Sequence, residues 1–171
     1  MNQMSNISNI NLKYNSIYPN YYRSESFTIN NIRYLNICKE PKISIITPIY
    51  NSQEELFSLH KSIQAQSLKT MEIIYIDNNS TDNSSQIIQN LQIRDKRIIL
   101  LKNKGNKGPF SRNKGVLFAK GEYIQFIDSD DALFWNILEK SYIIVKFRNL
   151  DIIQYRAYIQ SNNNILFLMK I

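Results

Sequence analysis

Four short runs of mainly apolar residues set the strongest limit on how this chain folds. They are KISIITPIY at 42–50, MEIIYID at 71–77, KRIILLK at 96–102 and GEYIQFID at 121–128. Most are nearly continuous in apolar and β-branched residues, which is typical of strands covered on both faces of a sheet. A strand with one solvent-facing side shows an apolar–polar alternation instead.

Amphipathic segments separate these runs. Residues 54–67 place Leu56, Leu59 and Ile63 on one helical face, and similar spacing predicts helices at 83–93 and 111–120. Buried strands that alternate with such helices predict an α/β fold, with a mostly parallel central sheet and helices on both faces. Further along, the patterns predict a helix within 132–147 and two strands within 151–160 and 165–171, with a turn at 161–164.

Composition divides the chain at residue 41. Residues 1–40 contain nine Asn and five Tyr without clear periodicity, so we interpret them as an irregular lead-in to one domain at 41–171. The single cysteine, Cys38, cannot form an internal disulfide and suits a reducing compartment. The N-terminus lacks the pattern of a secretory signal, and no apolar run reaches the roughly 18 residues of a membrane span. These features predict a cytoplasmic protein, with peripheral attachment to a membrane surface left open.

Polar segments follow all four predicted strands. They are TPIYN at 47–51, DNNSTD at 77–82, NKGNKGPFSRNKG at 103–115 and DSDD at 128–131. Ligands of open parallel sheets bind beyond the carboxyl ends of the strands. We therefore expect these four segments to form a binding site at one edge of the sheet.

The last of these segments places three acids in four positions, in a chain with 14 acidic and 21 basic residues. Carboxylates that lie so close raise each other's pKa unless a positive group lies between them. A divalent cation such as Mg²⁺ meets that need, because it prefers carboxylate oxygens as ligands. Taken alone, however, Asp128 and Asp130 are better explained as acids that complement the N-terminal dipole of a helix.

Basic residues are concentrated between residues 94 and 120, where nine accompany a single acid, Asp95. Such a strip can meet nucleic acid, an anionic surface or a phosphorylated small molecule. Arg112 is suited to a phosphate, since guanidinium groups bind such oxyanions in a bidentate manner. Only Phe110 and Phe118 are available there to stack on bases, so nucleic acid is not the favoured partner.

In this order, the segments PKISIITPIYN, EIIYIDNNSTDNS and NKGPFSRNKGVLFAKGEYIQFIDSDD closely resemble the donor-binding half of the family 2 glycosyltransferases. The resemblance covers about residues 41–135. It implies the glycosyltransferase A-type fold and an inverting, metal-assisted transfer of a sugar from a nucleotide diphosphate sugar. A UDP-sugar is the favoured donor, and the acceptor is an unknown glycan, lipid or protein.

The resemblance also implies roles for individual residues in donor binding. Thr47, Pro48 and Tyr50 would line the nucleoside pocket. Asp77 would accept a hydrogen bond from the base, and Arg112 would lie near the nucleotide.

The resemblance also implies that Asp128 and Asp130 take part in metal binding. Asp128 would contact the ribose or the metal, and Asp130 would bind the Mn²⁺ or Mg²⁺ that bridges the diphosphate. Their position after the fourth strand, opposite Tyr50, Asp77 and Arg112, reverses the preference for a simple helix start.

The sequence departs from the family pattern in two ways that bear on the expected sugar-transfer activity. Asn78 stands where the family often has a second acid, and the acids after Asp131 are only Glu139 and Asp151, neither in the context of a general base. The catalytic residue is therefore unknown, and the pattern predicts a truncated chain without the acceptor half. The alternative hypothesis is a non-enzymatic pseudo-transferase, whose basic strip at 94–120 binds nucleic acid or another anionic partner.

Overall fold

The central feature of the protein is a four-stranded sheet in which all neighbouring strands are parallel. A computed structural model describes residues 40–104, 108–156 and 168–170. The strands are β1 (Ile43–Ile49), β2 (Met71–Asp77), β3 (Ile98–Lys102) and β4 (Tyr123–Phe126), in the order β3-β2-β1-β4. Each lies within its predicted run and ends within two residues of it. The predicted parallel sheet is thus confirmed.

Helices cover both faces of this sheet, as predicted. They are α1 (Leu56–Gln64), α2 (Ser84–Arg94), α3 (Gly108–Phe118) and α4 (Ile137–Arg148). Apolar residues of α1, α2 and α4 pack on one face, and those of α3 pack on the other. Burial on both faces explains why β2, between two neighbouring strands, is buried at every position.

The helix predicted within 132–147 begins later than its local pattern suggests, at Ile137. The preceding backbone is engaged in tertiary hydrogen bonds instead. Ser62 Oγ is 3.1 Å from the Leu133 amide nitrogen, and the carbonyl oxygen of Phe134 accepts from Gln66 Nε2 at 2.8 Å. These contacts with α1 and the residues that follow it hold the segment in a non-helical conformation.

A short antiparallel pair lies beyond the main sheet. It consists of β5 (Gln154–Arg156) and β6 (Leu168–Lys170), which fall within the two predicted C-terminal strands. No helix among the described residues has the length and apolar character needed to cross a bilayer. Several features lie outside the described residues: the lead-in through residue 39 with Cys38, the loop at 105–107 and the turn predicted at 161–164.

A polar cluster is buried between α1 and the sheet. His60 Nδ1 lies 3.1 Å from the Tyr75 hydroxyl, and its Nε2 lies 3.9 Å from Asp95. Arg97 donates to the same oxygen of Asp95, Oδ2, at 2.6 Å, and to Oδ1 at 2.9 Å. Burial lowers the pKa of His60; the Asp95 carboxylate offsets part of this effect, whereas Arg97 adds to it.

This cluster predicts a pH dependence of stability. The unfolded chain takes up a proton on His60 near pH 6.5, whereas the folded chain does so only at lower pH. Stability should therefore fall as the pH drops from about 6.5 towards the folded pKa. Because His60 is the only histidine, His60→Gln should flatten this slope in urea unfolding between about pH 5 and pH 7. An unchanged slope in the variant would assign the dependence to other groups.

Candidate functional site

The segment after β1 starts inside the strand rather than beyond it. Thr47, Pro48 and Ile49 all belong to β1, and the Ile49 carbonyl accepts a hydrogen bond from the Asn78 amide at 2.8 Å. Thr47 is fully buried, and its hydroxyl has no hydrogen-bond partner among the described residues. Of the three residues predicted to line a nucleoside pocket, Tyr50 is the most exposed, at 46 %.

The loops after β1 and β2 are joined by direct hydrogen bonds. Asn51 and Asn79 adopt left-handed conformations, with φ of 47° and 62°, which asparagine tolerates better than most residues. Asn51 Oδ1 accepts from the Thr81 amide at 2.8 Å, and Ser80 Oγ accepts from the Asn51 amide at 3.1 Å. The two loops therefore behave as one unit at the edge of the sheet.

A second set of bonds extends this connection to the start of α2. The Ser52 amide donates to Ser84 Oγ at 2.9 Å, and the Gln53 amide donates to Asp82 Oδ2 at 3.1 Å. Burial opposes ionisation of Asp82, but hydrogen bonds from Ser84 and Gln53 outweigh it and lower its pKa. The ionised carboxylate thus helps to hold both loops at neutral pH.

Asp77 ends β2 at the predicted edge. Its side chain is buried, and Oδ1 accepts from the Ser80 amide at 2.9 Å. One carboxylate oxygen therefore fixes the start of the loop. Contact of Asp77 with a nucleotide base stays a prediction.

Asn78, the residue that departs from the family pattern, links β2 to two other elements. It is buried, and its Oδ1 accepts from Asn103 Nδ2 at 2.8 Å and from the Ser111 hydroxyl on α3. Lys114, also buried, donates to the Lys102 carbonyl and to Asn103 Oδ1, both at 2.7 Å. An amide oxygen suffices to accept both bonds to Asn78, so this position does not need a carboxylate here.

Residues 128–131 form a turn at the end of β4, the acidic turn. The Asp131 amide donates to the Asp128 carbonyl at 3.2 Å, and Arg112 on α3 forms an ion pair with the Asp128 carboxylate. Arg112 is thus a positive partner for Asp128, which the sequence pattern alone does not indicate. Partial desolvation of its carboxyl group, followed by the charges of Asp130 and Asp128, raises the pKa of Asp131. The turn therefore still carries excess negative charge.

The acids of this turn are chemically suited to a divalent cation. Asp130 is exposed and has no hydrogen-bond or ion-pair partner within the described part of the chain, and Asp128 is also exposed. Carboxylate oxygens of this kind are the ligands that Mg²⁺ and Mn²⁺ prefer. The described residues contain no group of three or more His, Cys, Asp or Glu side chains arranged for a metal. Substrate oxygens would have to complete such a site.

The middle of the turn is fixed by a contact that the sequence pattern does not predict. Ser129 Oγ lies 2.8 Å from Ser52 Oγ, and Ser52 Oγ lies 3.1 Å from the carbonyl oxygen of Tyr50. The only sequence signal for either serine is its place within two residues of the end of a predicted strand, which many loop residues share.

Several of the nine basic residues at 94–120, among them Arg97, Arg112 and Lys114, make polar contacts within the protein. Arg97 binds Asp95, Arg112 binds Asp128, and the Lys114 ammonium is buried among oxygen acceptors. These three charges are engaged in contacts within the protein.

Comparisons with known proteins identify the protein family to which this chain is related. The family model described as Glycosyl transferase family 2 matches residues 44–166. Glycosyltransferase GlyG of Streptococcus pneumoniae is 36 % identical over 129 residues, covering 73 % of this chain and 42 % of the relative. A Campylobacter jejuni GalNAc(5)-diNAcBac-PP-undecaprenol beta-1,3-glucosyltransferase is 44 % identical over 95 residues, covering 54 % and 31 %.

A solved structure shares the fold. The crystal structure of S. aureus TarS residues 1–349 in complex with UDP-GlcNAc matches with a TM-score of 0.64 and 27 % identity. The match covers 73 % of this chain and 36 % of that one. The chain thus spans less than half the length of the relatives described here.

Proposed function

This chain belongs to glycosyl transferase family 2, and on that premise we propose that it binds the nucleotide-sugar donor of a sugar-transfer reaction. The observation that carries the proposal is the pairing of Arg112 with Asp128 at the carboxyl edge of the sheet. This pair joins α3 to the acidic turn beside the joined loops after β1 and β2. A guanidinium group suited to phosphate and carboxylates suited to a divalent cation thus lie at the same edge, which supports the proposal.

We favour a UDP-sugar as the donor. Asp77 ends β2 at the same edge, and a carboxylate can accept the N–H of uracil. The exposed ring of Tyr50 offers a surface for the nucleoside. The similarity to a protein whose structure contains UDP-GlcNAc supports the same choice.

The proposed reaction is an inverting displacement at the anomeric carbon of the sugar. The acceptor hydroxyl oxygen forms the new bond and gives up its proton to a general base that the donor-binding residues do not supply, as the bond to the diphosphate breaks. Negative charge then develops on the departing diphosphate, and Arg112 would move from Asp128 towards it. A bound Mn²⁺ or Mg²⁺ would supply further charge stabilisation, with Asp128 and Asp130 as its protein ligands.

We assign donor binding, rather than acceptor activation, to the described residues. Glu139 lies on the first turn of α4, and Asp151 follows that helix; both are exposed. For the acceptor we propose a lipid-linked sugar, because a similar C. jejuni protein is named for a diphospho-undecaprenol substrate.

The proposal predicts metal-dependent binding of a UDP-sugar. Calorimetry should give binding of UDP-GlcNAc or UDP-glucose with Mn²⁺ that EDTA weakens by about tenfold or more, because Asp128 and Asp130 would hold a cation that offsets the charge of the diphosphate. GDP-mannose and dTDP-glucose serve as donor controls. If none of these nucleotide sugars bound in a metal-dependent manner, the proposal would be contradicted. Steeply salt-dependent RNA binding would favour the alternative hypothesis of a non-enzymatic pseudo-transferase.

A further inference from the structure

Two serine hydroxyls connect the acidic turn, residues 128–131, to the loop after β1 that contains Tyr50. Ser129, between the two proposed metal ligands, lies 2.8 Å from Ser52, which is 4 % exposed. Ser52 in turn lies 3.1 Å from the Tyr50 carbonyl oxygen. These contacts join segments that are 77 residues apart in the chain.

The number of hydroxyl protons determines which serine donates in each of these hydrogen bonds. Each serine hydroxyl has one proton to donate and can accept from others. All contacts are satisfied when Ser129 donates to Ser52 and Ser52 donates to the Tyr50 carbonyl. The turn is thus held on one side by Ser129 and on the other by the ion pair of Asp128 with Arg112.

The backbone of Ser52 is itself held in place by a hydrogen bond. Its amide donates to Ser84 Oγ at the start of α2, at 2.9 Å. A hydroxyl anchored in this way restricts how the acidic turn can move relative to Tyr50. Asp130, which has no partner among the described residues, keeps its carboxylate at the surface of the restricted turn.

We propose that Ser129 and Ser52 are positioning residues, which set the acidic turn at the distance from Tyr50 that one nucleotide sugar and its metal require. This role rests on the proposed function of the site. The hydroxyl pair would couple the nucleoside side of the site to the diphosphate side. Its loss should therefore weaken metal-dependent binding while leaving the metal-independent contacts with the nucleoside in place.

The test compares Ser129→Ala with Ser129→Thr, Ser52→Ala and the double alanine variant in the full chain. Calorimetry with UDP-GlcNAc is run with Mn²⁺ and with EDTA. We expect each alanine variant to weaken Mn²⁺-dependent binding about three- to tenfold, as for one lost hydrogen bond. Binding in EDTA should stay within about twofold, and Ser129→Thr should retain most of the affinity. The double variant should lose little more than either single variant.

Ser85→Ala is the matched control, because the buried Ser85 hydroxyl has no hydrogen-bond partner within the described residues. It should bind as the unmodified chain does. Unchanged Mn²⁺-dependent binding in Ser129→Ala, equal losses with and without metal, or additive losses in the double variant would overturn the positioning role alone. An unmodified chain without metal-dependent binding would overturn the proposed function and this role together.

Discussion

Replacing Asp130 with asparagine is expected to remove the metal-dependent part of UDP-sugar binding. Asp130 is exposed and has no hydrogen-bond or ion-pair partner within the described ranges, so the change should leave the fold intact. Asparagine keeps the size of the side chain but lacks the negative charge that a hard cation prefers. We expect the affinity with Mn²⁺ to fall to the level measured in EDTA, a loss of about tenfold or more, since even indirect partners of metal ligands contribute 10- to 100-fold.

Calorimetry with UDP-GlcNAc measures this loss, and Asp151→Asn provides a control of equal chemistry. Asp151 is exposed and lies after α4, outside the proposed site. The control should retain the Mn²⁺ dependence of the unmodified chain. Equal affinities for Asp130→Asn and the unmodified chain would remove Asp130 from the metal site. Equal losses in both variants would indicate an effect of net charge alone.

The second large effect is expected on stability, from Gly121→Ala. A Cβ atom at Gly121 would lie 2.4 Å from the Ser44 amide nitrogen and 2.7 Å from the Ile43 carbonyl carbon. Both atoms belong to the backbone of β1, at the centre of the sheet, which cannot move without disturbing its neighbours. The Gly121 amide also donates to Ser44 Oγ at 2.8 Å, and Ser44 donates to the buried Glu72 carboxylate.

We expect Gly121→Ala to cost about 3 kcal/mol of unfolding free energy, the upper part of the range for overpacked cores. Urea unfolding measures the loss. Gly115→Ala is the comparison, since its nearest contact, at 2.4 Å, is a methyl group of Ile46 rather than backbone. Alanine also favours the helix at this position by about 1 kcal/mol. A loss in Gly115→Ala equal to that in Gly121→Ala would contradict the distinction between backbone and side-chain contacts.

The sequence was most informative where structure depends on residues close together in the chain. All four strands of the parallel sheet match apolar runs, and α1 begins and ends inside its predicted segment. Local patterns were less reliable where tertiary hydrogen bonds compete with a helix. The start of α4 is the example: Leu133 and Phe134 bond to Ser62 and Gln66 instead of extending the helix.

The candidate site was predicted as a set of segments and not as a set of contacts. The order of polar segments after the strands, together with the resemblance, indicated the family that the comparisons establish. It did not show that Thr47 lies buried within β1, or that Asn78 holds Ser111 of α3. Both depend on which face of the sheet a side chain occupies and on what packs against that face.

The sequence by itself determined the parallel α/β architecture and the edge at which the polar segments gather. Strand and helix periodicity records burial by near neighbours, so it can be recognised without knowing the full fold. Only the tertiary structure decided that Arg112 neutralises Asp128 and that Ser129 meets Ser52. Those partners are 16 and 77 residues apart, and they meet because β4 pairs with β1 while α3 packs across β1 and β2.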